Sequence, residues 1–266
     1  MRLALLMVLT LGQAALAQSS LDSLASASAI ATARFADRRA AAAEGYRRLG
    51  ADFPGMGEHW LHPGALLSGS IDANRPTILI YATIGDAPKL LGVGFVTTTR
   101  GDDTVRAVPG WPRAWHEHSG LLTDESGVSP GTNAPSGTHV WVLHAWTGLK
   151  NPDGVFTPDN WSLPFLRAGL APPAASDPDA ARAVALVNGG DAYLRGVLTD
   201  GRMVTPANAA RVDSIIARAR GEVSSLVAAT PLSFVALRAT WQAMSSSLRA
   251  ELGPGVDKFL AVPHRH

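Results

Sequence analysis

Thr77-Ile78-Leu79-Ile80-Tyr81-Ala82 and Leu90-Leu91-Gly92-Val93-Gly94-Phe95-Val96 flank Gly85-Asp86-Ala87-Pro88. Two runs rich in β-branched and aromatic residues around a Gly/Asp/Pro cluster read as a β-hairpin, and this hairpin decides the fold class. Downstream, Ala114 to Leu122 and Thr138 to Trp146 are two further strand candidates, separated by a loop rich in Ser, Gly, Pro and Asn. Residues 50–165 therefore read as a small antiparallel β-sheet or barrel-like unit.

The flanks are helical in character. Residues 18–48 are rich in Ala and Ser, with Ile30, Ala33, Phe35, Ala40 and Tyr46 loosely periodic, which predicts a lead-in helix on the surface. Past Ala171-Pro172-Pro173-Ala174-Ala175-Ser176, three pairs (Asp177-Pro178, Thr205-Pro206 and Thr230-Pro231) each set a capping side chain before a first-turn proline. Val212, Ile215, Ile216, Ala219 and Val223 hold helical spacing after the second pair; Leu237, Trp241, Met244, Leu248 and Leu252 do so after the third. Gly253-Pro254-Gly255 is expected to end that run. The predicted architecture is α+β: a signal peptide (1–17), an N-terminal helical lead-in (18–48), a His/Trp-rich β domain (49–170) and a C-terminal α-helical region (176–260).

The signal peptide follows from Arg2, an apolar core too short to span a bilayer, and Ala15-Leu16-Ala17 before Gln18. Cleavage after Ala17 predicts a periplasmic or secreted protein with no integral membrane span. The chain carries 23 basic and 22 acidic residues. Arg2 is the one charge in the leader, so the mature chain is formally neutral and offers no electrostatic case for nucleic acid. With no cysteine, it has neither a disulfide framework nor a thiolate metal site, and its stability rests on an ordinary apolar core.

Six of the eight histidines (His59, His62, His116, His118, His139 and His144) fall in the β domain. Neutral imidazole is the commonest protein metal ligand and the commonest general acid or base. His116 and His118, two apart on a predicted strand, share a face, while Glu117 points the other way. His139 and His144 are an odd distance apart, so only one of them joins that pair; His139, beside the loop, is the preferred one. His59 adds a third source, with Glu58 next to it. The expected site is thus His59, His116, His118 and His139 around a transition metal (Zn, Cu, Fe or Ni), with Glu58 or Glu117 as ligand or proton carrier. His62 and His144 are the expected bystanders.

Two resemblances bear on this region. Gly110-Trp111-Pro112-Arg113-Ala114-Trp115-His116-Glu117-His118 resembles the G-x5-H-x-H opening of the first cupin motif, and Pro135-Ser136-Gly137-Thr138-His139 is similar to the second, one residue short. Glu125 lies further along than the usual cupin glutamate. The cupin resemblance implies a double-sheet barrel with a metal inside. Over residues 50–165 the chain also resembles a group of uncharacterised exported bacterial proteins. The likeness rests on Gly57-Glu58-His59-Trp60, Arg75 to Tyr81, Leu90 to Phe95, His139-Val140-Trp141 and Asn151-Pro152-Asp153-Gly154-Val155-Phe156. It implies site roles for His59 and His139 and leaves the reaction open.

Other motifs fail on physical grounds. Gly127-Val128-Ser129-Pro130-Gly131 has the letters of a nucleophile elbow, yet Pro130 lacks the backbone N–H that should follow the serine in an oxyanion hole. Gly92-Val93-Gly94 lacks the third glycine of a dinucleotide loop. Two functions remain: an exported metalloprotein, enzymatic if a coordination position is open, or a non-catalytic module. The second would bind a small-molecule ligand or a partner through a pocket lined by Trp60, Trp111, Trp115, Trp141, Trp146 and Trp161, its helices offering a scaffold or a homo-oligomer surface. Asp153, Asp159 and Asn160 are candidates to orient imidazole N–H groups.

Overall fold

The computed structural model describes residues 19–100, 108–110, 114–118, 138–175, 177–199, 205–228 and 232–259; of these, the side chains of Arg100, Glu117, His118, Thr138, His139, Leu226, Val227, Lys258 and Phe259 are outside the description. The fold is α+β. A helix over 19–32 (α1) and a short helix Arg38–Ala43 (α2) precede strands Arg47–Phe53 (β1) and Gly57–Leu61 (β2). Helix Pro63–Ser68 (α3) leads to strands Ile78–Ile84 (β3) and Ala87–Arg100 (β4), then His116–His118 (β5) and Thr138–Ala145 (β6). The helices Leu163–Arg167 (α4), Pro178–Asn188 (α5), Asp191–Thr199 (α6), Pro206–Ala228 (α7), Phe234–Ala243 (α8) and Ser246–Phe259 (α9) complete the chain.

The strands form one antiparallel sheet in the order β1-β2-β3-β4-β6-β5, open rather than closed into a barrel. The hairpin of β3 and β4 is tighter than the sequence implies: Ile84 pairs with Ala87, leaving a two-residue turn with Gly85 at φ +65°. A positive φ at the first turn position is what a right-twisted hairpin needs. Pro88 then sits inside β4, where it is tolerated because β6 pairs with β4 only from Val93 onward.

Strand parity gives the sheet two buried faces. Leu79, Tyr81, Val93, Phe95, Leu143 and Ala145 point to one, where Leu21 and Ala25 of α1 and Phe35 and Tyr46 cover them. Ile78, Ile80, Val96, Val140 and Val142 point to the other, with Trp146 and Leu163. The C-terminal helices build a third core around Val184, Tyr193, Ile215, Leu237, Trp241, Leu248 and Leu252, which Trp161 and Phe165 join. Arg167 in α4 grips Asp52 in β1 through two charge-assisted bonds of 2.8 and 2.7 Å, tying the helices to the sheet.

Several expectations change at the helices. Asp177 caps α5 through Ala180 N–H, as its Asp-Pro pair predicts. The third helix start is Ser233, which accepts from Ala236 N–H; Thr230 and Pro231 lie outside the described residues. Gly253-Pro254-Gly255 does not stop the last helix, which runs through Pro254 to Phe259. Burial overrides the proline: Leu252 and Val256 are fully covered, and a Cβ on Gly255 would overlap the Val197 carbonyl, so α9 lies directly on α6. α6 itself goes unannounced in the sequence, because its nine residues follow Gly189-Gly190 with no capping side chain. Among the described residues no helix is long and apolar enough to cross a membrane.

Candidate functional site

Three imidazoles meet on the Ile80/Val142 face of the sheet. His59 comes from β2 opposite Ile80, His144 from β6 opposite Gly94, and His116 from β5 opposite Val142. Even separation along β6 puts Val142 and His144 on one face, and directly paired residues share a face, so His116 and His144 stand side by side. Their ring centroids are 5.0 Å apart, edge to face. His59 reaches across from the far side of β3 and β4, bringing its Nε2 within 3.4 Å of His144 Nε2.

That reach needs room, and Gly94 supplies it. A Cβ there would lie 3.3 Å from His144 Cδ2 and 3.1 Å from Ile78 Cβ, so the His144 ring lies over a strand position with no side chain. The Gly-Val-Gly segment is thus a flat platform under an imidazole, not a phosphate loop.

His144 is the centre of the group and is 1% exposed, whereas His59 and His116 are half-buried. Its Nδ1 lies 2.5 Å from the Pro158 carbonyl oxygen. A carbonyl only accepts, so Nδ1 carries the proton, and in the neutral ring Nε2 is the acceptor nitrogen and faces His59. The sequence points to Asp153, Asp159 or Asn160 as the group that orients an imidazole; the backbone carbonyl just before Asp159 does it instead. No side-chain pattern announces a backbone acceptor.

The other site candidates divide by strand parity. Glu58 lies on the opposite face of the sheet from His59, 7% exposed, where it faces Arg38 at 3.2 Å and accepts from Trp60 Nε1 at 3.1 Å. That places its carboxylate away from the imidazoles and makes it part of the α2 contact. In register, Glu117 pairs with Trp141 and His118 with Val140, while His139 pairs with Thr99, five residues along β6 from His144. The side chains of Glu117, His118 and His139 lie outside the described set. Parity does allow only one of His139 and His144 beside His116, but among the described rings it is His144, the expected bystander. His62 is structural: its Nδ1 accepts from Ala65 N–H at 3.0 Å to cap α3, and its ring edges against Tyr46. Among the described residues no group of three or more His, Asp or Glu side chains is placed so that it could hold a metal ion.

The tryptophans mostly spend their N–H groups internally. Trp60 donates to Glu58, Trp115 to the Pro109 carbonyl, Trp141 to Thr99 Oγ1 and Trp146 to the Thr157 carbonyl. Trp161 belongs to the helical core. These rings fill cores and fix loops; Trp111 lies outside the described residues.

Next to Pro158, Asp159 is half-buried, and loss of solvent pushes its carboxyl up to about 7 from 3.8. The folded-state value lies above the unfolded one, so the fold favours the protonated acid. That contribution is complete below about pH 4 and is lost as pH rises toward 7. The urea unfolding midpoint is therefore expected to fall between pH 4 and 7, and Asp159→Asn to flatten that slope. An equal slope in both proteins would contradict it.

Compared with known proteins, the chain matches no family model, no curated protein and no solved structure. Its chemistry is read from its own geometry.

Proposed function

We propose that this chain is an exported protein that binds a transition metal ion through His59 and His144, with His116 as the adjoining third imidazole. The observation that carries the reading is the 3.4 Å separation of the two Nε2 atoms. It is long for an N–H···N hydrogen bond, which falls near 2.9–3.1 Å, roughly as for other N–H donors. It matches the edge of a tetrahedron: two nitrogens about 2.0–2.1 Å from one ion stand about 3.3–3.4 Å apart. The protonated Nδ1 of His144 leaves the correct nitrogen for a metal, and a ligand histidine whose other ring nitrogen is held by an acceptor is the usual arrangement. Imidazoles suit Zn, Cu, Ni or Fe(II). A coordination position left open to water would make such a site catalytic.

Export is supported by the leader pattern of residues 1–17. Cleavage after Ala17 would keep Leu21 and Ala25, which pack against the sheet, on the mature chain. Sequencing the exported product should give Gln18 at the N-terminus.

The test is elemental analysis of untagged protein with a parallel melting curve in chelator. About one transition metal per chain and a lower melting temperature in chelator are expected. No stoichiometric metal and unchanged melting would remove the reading. Gly94→Ala supplies a milder probe: the new methyl displaces the His144 ring by a few tenths of an ångström, and metal affinity is expected to drop about tenfold, on the scale of lost outer-shell support. Competition with a chromophoric chelator measures it.

A further inference from the structure

We infer that Asn151, which lies outside the group of imidazoles, is a positioning residue for His144, acting through the loop that presents the Pro158 carbonyl. The inference rests on the metal reading for its importance and on the loop's own hydrogen bonds for its geometry. Pro158 O is the atom that fixes the His144 tautomer, so whatever holds Pro158 sets which nitrogen the ring offers.

Both neighbours of Pro158 are pinned. On one side, the Thr157 carbonyl accepts from Trp146 Nε1 at 2.7 Å, and Trp146 N–H donates to the Val155 carbonyl at 2.8 Å. On the other, the Asp159 carbonyl accepts from Asn151 Nδ2 at 2.5 Å. The same amide nitrogen donates to Thr157 Oγ1 at 2.7 Å, and Asn151 Oδ1 accepts from Asp153 N–H at 3.1 Å. Asn151 is buried, so these bonds form away from competing water. One amide thus spans the tight turn at Asn151 and the two residues flanking Pro158. The proline contributes a fixed φ, and its carbonyl has little freedom once both adjacent peptides are held. Asn is required here because the site needs two donors and an acceptor on one short side chain. An aspartate would turn a carboxylate oxygen toward the Asp159 carbonyl, which can only accept.

The test reads the tautomer directly, with no metal present. In protein labelled with 15N-histidine, long-range 1H–15N spectra should show His144 as the Nδ1–H form, its signals assigned by their loss in His144→Gln. Asn151→Asp is expected to give a mixture of Nδ1–H and Nε2–H forms and a Zn(II) dissociation constant about 10–100-fold higher. Thr157→Val, which removes one of the two acceptors of Asn151 Nδ2, is expected to move the tautomer the same way by less, and it keeps the question open to measurement if Asn151→Asp does not fold. An unchanged Nδ1–H signal in whichever variant folds overturns the inference. A tautomer shift in a protein whose wild type binds no Zn(II) supports the positioning role and removes the metal reading, so the two stand or fall separately.

Discussion

Under the proposed metal binding, replacing His144 by alanine is expected to abolish that binding outright, a larger loss than the roughly 10–100-fold that follows from disturbing an outer-shell partner. Its Nε2 faces His59 Nε2, its ring touches His116, and its Nδ1 fixes it to Pro158, so among the described residues it is a ring in contact with both other imidazoles. The substitution also costs stability. It leaves the Pro158 carbonyl without its imidazole donor and opens a void over Gly94, together about 2–4 kcal/mol on the scale of a lost buried partner plus a small cavity. Stability loss alone cannot explain metal loss if the comparison includes His62→Ala. His62 caps α3, so that variant should lose about 1 kcal/mol while keeping its metal. Parallel metal analysis and urea titration of the two variants check this, and equal metal content in both would contradict the assignment of His144.

Gly57→Ala is expected to have the largest effect on folding. Gly57 starts β2 at φ +74°, and a Cβ there would overlap the Tyr81 carbonyl oxygen of β3. A left-handed alanine costs about 1–2 kcal/mol, and forcing a methyl against a backbone oxygen in a packed sheet adds about 1–3 kcal/mol. A loss of roughly 2–5 kcal/mol is a large part of the stability of a domain this size. Gly69→Ala provides the contrast. Gly69 also has a positive φ (+61°), but open space surrounds it, so only the smaller conformational penalty should appear. Similar melting points for the two variants would show that the approach of β2 to β3 is not the limiting contact. The Gly-x-His-Trp sequence is explained by the same contact: the glycine lets the strand enter next to Tyr81, and two residues later His59 points to the imidazole face.

The sheet was legible because its central strands are strongly apolar and its turn residues are distinctive. β3 and β4 lie where Ile78 to Tyr81 and Leu90 to Val96 place them, and β6 follows Thr138 to Ala145. β1 was hidden because Arg47, Arg48 and Gly50 dilute its apolar pattern, so the lead-in reads as helical to residue 48. The helices were readable where a proline and cap mark their starts. They were misread at Pro254, where burial of Leu252 and Val256 outweighs local preference.

The site was half legible. Parity along β2 puts Glu58 on the opposite face from His59, against the expectation that its carboxylate joins the imidazoles. It cannot say which strand neighbours which, and that decides the partnership. β6 lies between β4 and β5, so His144 acquires His116 on one side and, across the bare surface of Gly94, His59 on the other. Neither the strand order nor the Pro158 carbonyl leaves a periodic trace in the sequence.

From Pro158 the chain runs almost at once into Trp161, Leu163 and Phe165, the first and last of these in the helical core and the middle one in the core beneath the imidazoles. The stretch that steadies the His144 ring is therefore a suture between two independently packed bodies. A cavity near Phe165 is expected to disturb the Pro158 carbonyl and with it the orientation of the His144 ring. The helices thus anchor the loop that carries Pro158.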